Sequence, residues 1–252
     1  MSGTGARFTP IGLAGALALL GLWQVCVAID FVSPLYLPSP AATWTALQRG
    51  FMNGDLLPQL ASTLLRMLKG WAAASVVAVA LGSLIGASAR ARAYLQPTFR
   101  VLGALPASAA IPVAIALFGL GPTMAVAVIA FGSLWPTLLA TIDGFGSVEP
   151  RLVEIARMMR LRRFAFIAKI AWPNAVPGII AALRVSLAIA LFLTVACEMI
   201  AGRDGLGSGI LTAARTFRTA DLFAGMALLG VIGFVGNYAL ALAERRLLAW
   251  RG

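Results

Sequence analysis

From Gly70 to Ala87 the chain runs for eighteen residues without a charged side chain. Wound as an α-helix at 1.5 Å per residue, such a run is roughly 27 Å long, close to the thickness of a bilayer's hydrocarbon layer. It belongs to the second of six apolar runs, which cover about 11–29, 58–88, 100–118, 122–142, 175–201 and 222–243. The pattern predicts an all-α membrane protein with six spans and both termini on the cytoplasmic side. Composition agrees. The chain is 60% hydrophobic and 12% charged, where a soluble domain is nearer half apolar and a quarter charged.

The segments between the runs refine this. Residues 11–29 read as a retained span with its N-terminus inside, oriented by Arg7. Ser39 before Pro40 is a helix start, with serine as cap and proline in the first turn. A short interfacial helix over about 40–51 follows, with Trp44 at headgroup level. Arg66 and Lys69 lie three residues apart, hence on one helix face, near the outer interface. Pro106 and Pro112 predict a kinked or broken third span, tolerated where neighbours satisfy the freed carbonyls. Phe118-Gly-Leu-Gly-Pro122 is a tight-turn signal. Small residues such as Gly82 and Gly86 allow close helix approach in lipid. Residues 1–57 form an N-terminal span with its interfacial helix. Residues 58–252 form a five-span core with a polar loop at about 143–175.

The formal charge is +11, which raises nucleic acid as a partner. Its distribution argues against that. Arg7, Arg90, Arg92, Arg100, Arg245, Arg246, Arg251 and the basic residues of the long loop fall on the predicted inner side. Outside, Arg49, Arg203, Arg215 and Arg218 are matched by Asp30, Asp55, Asp204 and Asp221. Positive charge thus follows topology. The chain has no histidine, and its two cysteines, Cys26 and Cys197, sit in apolar runs. It lacks a phosphate-cradling G-x-x-x-x-G-K-[ST] loop and a nucleophile–base pair, so neither an enzyme nor a resident cofactor is expected.

The long loop, VEPRLVEIARMMRLRRFAFIAKIAWP over 148–173, carries Arg151, Arg157, Arg160, Arg162, Arg163 and Lys169 beside Glu149 and Glu154. So many cations beside a span keep the loop cytoplasmic. Leu152, Ile155, Ala156 and Met159 form an apolar stripe at helical spacing. Two readings stand: a helix lying on anionic lipid, or one offered to the groove of a soluble partner.

The loop resembles the cytoplasmic EAA loop of bacterial ABC-importer permeases, whose pattern is E-A-A, three residues, G, nine residues, I-x-L-P. Glu154-Ile155-Ala156 stands for E-A-A, Arg160 for the glycine, and Ile170-Ala171-Trp172-Pro173 for I-x-L-P, with the spacing kept. Ile155, Arg160 and Trp172 depart from the pattern. LPSPAATWTAL, STLLRMLKG, FGLGPTMAVAVIAFGSLWPTLLATIDG and ALRVSLAIALFLTVACEMIAGRDGLGSGI extend the likeness over roughly 35–250, toward the nitrate, aliphatic sulfonate and taurine branch. The resemblance implies a six-span type I ABC importer permease fold with a cytoplasmic coupling (EAA) loop. It implies a gated path for a small solute in a bacterial inner membrane. An oxyanion such as nitrate, a sulfonate or taurine is the implied cargo, and a vitamin or pyrimidine precursor is the alternative. The implied partners are two cytoplasmic ABC ATPase subunits, a second permease copy and a substrate-binding protein. It assigns ATPase coupling to Leu152, Glu154, Ile155, Ala156, Arg157, Met159, Arg160, Ile170 and Pro173. A stand-alone secondary transporter is the more remote reading, because no repeat and no mid-span carboxylate is visible.

Two charges interrupt the fifth run. Arg184 and Glu198 are separated by about 21 Å of helix, less than the ~30 Å apolar layer. They are candidates for the pathway or its gate. Snorkelling to inner headgroups is the alternative for Arg184. Holding the following loop, GRDGLGSG, is the favoured role for Glu198. Pro173 and Pro177 are expected to stiffen the joint between loop and span.

Overall fold

The computed structural model describes residues 10–202 and 204–248, and among these it contains helices and short connections but no strand. Arg7, Arg203 and Arg251 lie outside the described residues. In chain order the helices are α1 (Pro10–Ala28), α2 (Pro40–Met52), α3 (Leu56–Gly86), α4 (Ala89–Gly103), α5 (Ala110–Phe118), α6 (Pro122–Gly146), α7 (Pro150–Met158), α8 (Arg163–Phe166), α9 (Trp172–Ala201), α10 (Leu206–Arg215) and α11 (Thr219–Leu247). Four helical stretches are long and apolar enough to cross a membrane: α3, α6, the continuous path Arg163–Ala201, and α11.

The third apolar run is a broken helix rather than one rod. Ala89–Gly103 and Ala107–Phe118 meet at 77°. The break falls at Ala104–Pro106, where proline removes a backbone donor. A single 3-10 turn over Ala107–Ala109 leads into α5. Next, Gly119 (φ 69°) and the extended Gly121 form the predicted tight turn before Pro122 opens α6.

The helix pair α3–α6 is the spine. Gly70, Ala74, Ala78, Gly82 and Gly86 recur every four residues and are all buried. An α-helix returns nearly to the same face every four residues, so these form one ridge of small side chains. A Cβ on Gly70 would fall 2.6 Å from Ile129 Cγ2, and one on Gly82 would fall 2.6 Å from Thr141 Cβ. On the other side of α6 a Cβ on Gly144 would stand 2.7 Å from Ala175 Cβ. In lipid, association is driven by packing of this kind rather than by expulsion of water. Three buried hydroxyls are met locally: Thr141, Ser133 and Thr194 donate to carbonyls four residues back at 2.6, 2.7 and 2.7 Å. This is the intrahelical bonding that apolar surroundings require.

At the periphery, α2 starts as predicted, with Ser39 Oγ accepting from Ala42 N at 3.1 Å. Trp44 is exposed. Trp23 on α1 donates its indole N–H to Pro38 O at 3.0 Å and lies 5.7 Å from the Phe223 ring, which fastens that end of α1 to α2 and α11.

Candidate functional site

Helix α7 begins at Pro150, whose ring presets the backbone and whose missing donor costs nothing in a first turn. It ends at Met158, and Arg160 takes φ 50°. Leu161 N donates to Ala156 O at 3.0 Å and Arg160 N donates to Arg157 O at 3.0 Å. These two bonds make a complete Schellman stop, the termination that ordinarily places glycine at the left-handed position. Arginine at the glycine position therefore neither extends the helix nor redirects the chain. It keeps the turn and bears its strain, roughly 1–2 kcal/mol for a side chain in that region.

The apolar stripe of α7 divides. Ala156 is buried, while Leu152, Ile155 and Met159 are 41%, 49% and 67% exposed. Glu154 and Arg157 are also exposed, and among the described residues Glu154 has no ion-pair partner. The ridge is thus open to a partner groove.

The base of the loop is fixed. Val148, Phe166 and Ile167 pack on a cluster of Phe145, Ala171, Ala175 and Ile179. Trp172, at the family's leucine position, meets the Phe145 ring edge-on at 6.0 Å and 74°. Arg163 Nη2 donates to Ala87 O at 3.1 Å, and Arg92 Nη1 donates to Gly86 O, so two cations sit on the carbonyl end of α3. Asn174 Nδ2 donates to Gly144 O at 2.9 Å, tying α9 to α6. No turn separates loop from span. Arg163 to Ala201 is one helical path, with a π-helical stretch over Ile167–Ala171 ahead of Pro173. Ile170 and Pro173 are half-buried in that stretch and its end. Pro173 and Pro177 thus lie within the helical path.

At the opposite end of α9, Glu198 is 1% exposed. Its carboxylate accepts from Arg66 Nη1 at 2.6 Å, from Thr63 Oγ1 at 3.0 Å, and from Gly207 N at 2.9 Å. Arg66 Nη1 also donates to Asp204 O at 3.1 Å, and Leu206 N donates to Thr63 Oγ1 at 2.9 Å. Gly205 (φ 143°) lies so close that a Cβ there would fall 2.3 Å from Glu198 Cδ. The carboxylate is fully engaged and locks residues 204–207 onto α3. A buried charge is tolerable in this form, paired and with its remaining lone pairs bonded. Beside this knot a cavity of about 410 Å³ opens between α2, α3, α10 and α11, lined in part by Asp55, Gln59, Asp204, Ser208, Arg218 and Asp221. Arg218 pairs with Asp221 at 2.7 Å, and Arg215 is exposed.

Arg184 lies toward the α7 end. Its Nη2 donates to Glu244 Oε2 on α11, with both side chains about a third exposed. From this pair a groove of about 790 Å³ runs between α9 and α11, with Met67 of α3 at its wall. Arg184 and Glu198 therefore serve separate places, one at the groove and one in the loop lock.

Three partners escaped the sequence: Thr63, Arg66 and Glu244. Thr63 and Arg66 share a helix face, a visible signal, but their target is far along the chain. Arg66 turns inward while Lys69 is exposed. Glu244 stands next to Arg245 and Arg246 and reads as part of a basic tail.

Known proteins align with this arrangement along nearly its whole length. The putative aliphatic sulfonates transport permease protein SsuC of Bacillus subtilis is 30% identical, over 95% of this chain and 87% of that protein. The taurine transport system permease protein TauC of Escherichia coli is 29% identical, over 98% and 92%. The nitrate import permease protein NrtB of Leptolyngbya laminosa is 26% identical, over 91% and 84%. The family described as binding-protein-dependent transport system inner membrane component matches residues 56–249, a stretch that runs from the first turn of α3 past the end of α11 and takes in both the α7 loop and the Glu198 lock. The chain is an all-α membrane permease of that family.

Proposed function

We propose that this permease is the membrane subunit of an ATP-driven ABC importer, and that its cargo is a small oxyanion, a sulfonate, taurine or nitrate, received from a binding protein. The observation that carries the reading is the α7 ridge: apolar side chains left open on a short helix that only the turn over 159–162 separates from the helical path Arg163–Ala201. Such a helix suits docking in a groove, and the short, hydrogen-bonded turn between it and the Arg163–Ala201 helix lets a displacement of α7 reach the bundle. In this reading Leu152, Glu154, Ile155, Ala156, Arg157, Met159 and Arg160 meet two cytoplasmic ATPase subunits, while Ile170 and Pro173 carry the movement inward. The relatives named for sulfonate, taurine and nitrate transport support the cargo class.

The topology follows. The four long helices, the bent α4–α5 pair and α1 supply six crossings in a bacterial inner membrane, with both termini and α7 in the cytoplasm. Residues 1–57 add a peripheral span to the core over 58–252. Arg184 lines the path. Two copies enclose a central passage, since one copy offers only an open groove. The knot of Glu198 shapes the outer face that receives the binding protein.

Reconstitution tests the reading. Vesicles holding this permease, an ATPase and a binding protein encoded beside it should take up labelled taurine, ethanesulfonate or nitrate only with ATP. Glu154→Lys should abolish both uptake and ATPase co-purification while the permease still inserts. Uptake by the permease alone would assign it to the secondary transporters instead.

A further inference from the structure

The α9–α11 groove has the ordinary form of a small-ligand site, apolar walls with a few polar groups converging on one end. Of the side chains that line it, only Arg184 and Asn237 are polar. Gly230, Gly233, Asn237 and Glu244 step by three, four and seven along α11 and so share one face. The guanidinium of Arg184 is incompletely used. One nitrogen meets Glu244, while Nε is buried with no hydrogen-bond partner among the described residues. A guanidinium offers five N–H donors in a fixed fork that fits the flat edge of a carboxylate, and equally that of a nitrate or sulfonate.

We propose that Arg184 and Asn237 form an oxyanion subsite at one end of the groove, and that Glu244 is its built-in competitor. Glu244 holds the Arg184 fork while the subsite is empty and yields it when an oxyanion arrives. An unpaired guanidinium against apolar walls is costly, and exchange of one anion for another keeps Arg184 neutralised throughout. Glu244 can leave cheaply because it is partly exposed and stands beside the exposed Arg245 and Arg246. Competition also keeps the site weak, as a conduit requires. The oxyanion class rests on the importer reading above; the competition itself needs no ATPase.

The full-length permease in detergent, with no ATPase present, is titrated with sodium ethanesulfonate or nitrate against chloride, which offers no two-oxygen edge, at constant ionic strength, and its thermal midpoint is followed. The wild type should show a saturable upward shift. Glu244→Gln should reach half of that shift at about a tenth of the concentration, the effect of removing one competing charged hydrogen bond. Arg184→Gln should lose the shift and Asn237→Ala should need more anion. Should Glu244→Gln fail to accumulate in membranes, Glu244→Asp takes its place, since a shorter carboxylate weakens the pair and must move the titration the same way. An unchanged or higher half-saturation for the Glu244 variant, a wild-type titration in Arg184→Gln, or no saturable shift at all overturns the proposal. None of these results touches capture of an ATPase by α7, so failure here and failure of the importer reading are separable.

Discussion

Two residues show how local rules and long-range contacts divide the work. Arg160 sits at φ 50° inside a complete Schellman stop. Replacing it by glycine should remove strain and raise stability by about 1 kcal/mol. A higher midpoint in a thermal scan would show it, and a lower one would mean that the guanidinium makes a contact worth more than the strain. The position was legible in sequence from its register with the EAA pattern; its conformation was not, because arginine ordinarily avoids this region. Glu198 is the converse case. The sequence marks it as an anomalous charge, but its partners Thr63 and Arg66 lie on another helix. Glu198→Ala strands Arg66 in a nearly dry site and should cost about 3–5 kcal/mol. Adding Arg66→Ala should cost much less than the sum of the single changes, since the two act as one unit. Additive losses in thermal denaturation would contradict this account of the knot.

Helix positions that look alike in sequence differ sharply once paired. Gly82 and Gly230 both interrupt apolar spans. A Cβ at Gly82 meets Thr141 at 2.6 Å and the Leu138 carbonyl at 3.1 Å, whereas one at Gly230 meets nothing within 4 Å. Gly82→Val should therefore force α3 from α6 and destabilise by about 1–3 kcal/mol, the usual cost of overpacking. Gly230→Leu should leave thermal stability near wild type and fill the α9–α11 groove, so that transport falls while folding does not. Equal thermal midpoints for the two variants would refute the distinction. Periodicity revealed the helices themselves, as the start of α2 at Ser39-Pro40 and the proline-marked break before α5 illustrate. It missed the π-helical stretch over Ile167–Ala171, because an extra residue per turn is invisible in a pattern of apolar side chains that already face several neighbours.

For the whole molecule, orientation is the deciding property. In a background with Cys26 and Cys197 replaced, Met158→Cys should react with an impermeant thiol reagent only when the cytoplasmic face is open. Tyr36→Cys, on the connection between α1 and α2, should react from outside. Both positions are well exposed, at 84% and 62%, so poor access does not explain a negative result. The reverse pattern would invert the membrane and remove α7 from any cytosolic partner. α6 is the buried centre of the bundle, whereas only 6% of the most apolar window of α11 is buried. That bare helix forms one wall of the groove, which is why a second copy completes the assembly in the proposed importer.

The chain's linear order was enough to determine that it crosses a membrane, about where its long apolar helices lie, and which loop carries the family pattern; it did not show α4 or α10 as helices. Those properties depend on neighbours within a few residues and on the thickness of a lipid layer. The tertiary structure alone decided which groups hold Glu198 in the loop-holding role that the sequence favoured, that Arg184 pairs with Glu244 of α11, and that the loop from Arg163 runs into α9 as one helical path. Each of these joins groups that are distant in sequence or rests on one dihedral choice among several that the residues permit. Lipid enforces hydrogen bonding within each helix but is indifferent to which helices pair, so the pairing of charges and of small residues is settled only when the bundle closes.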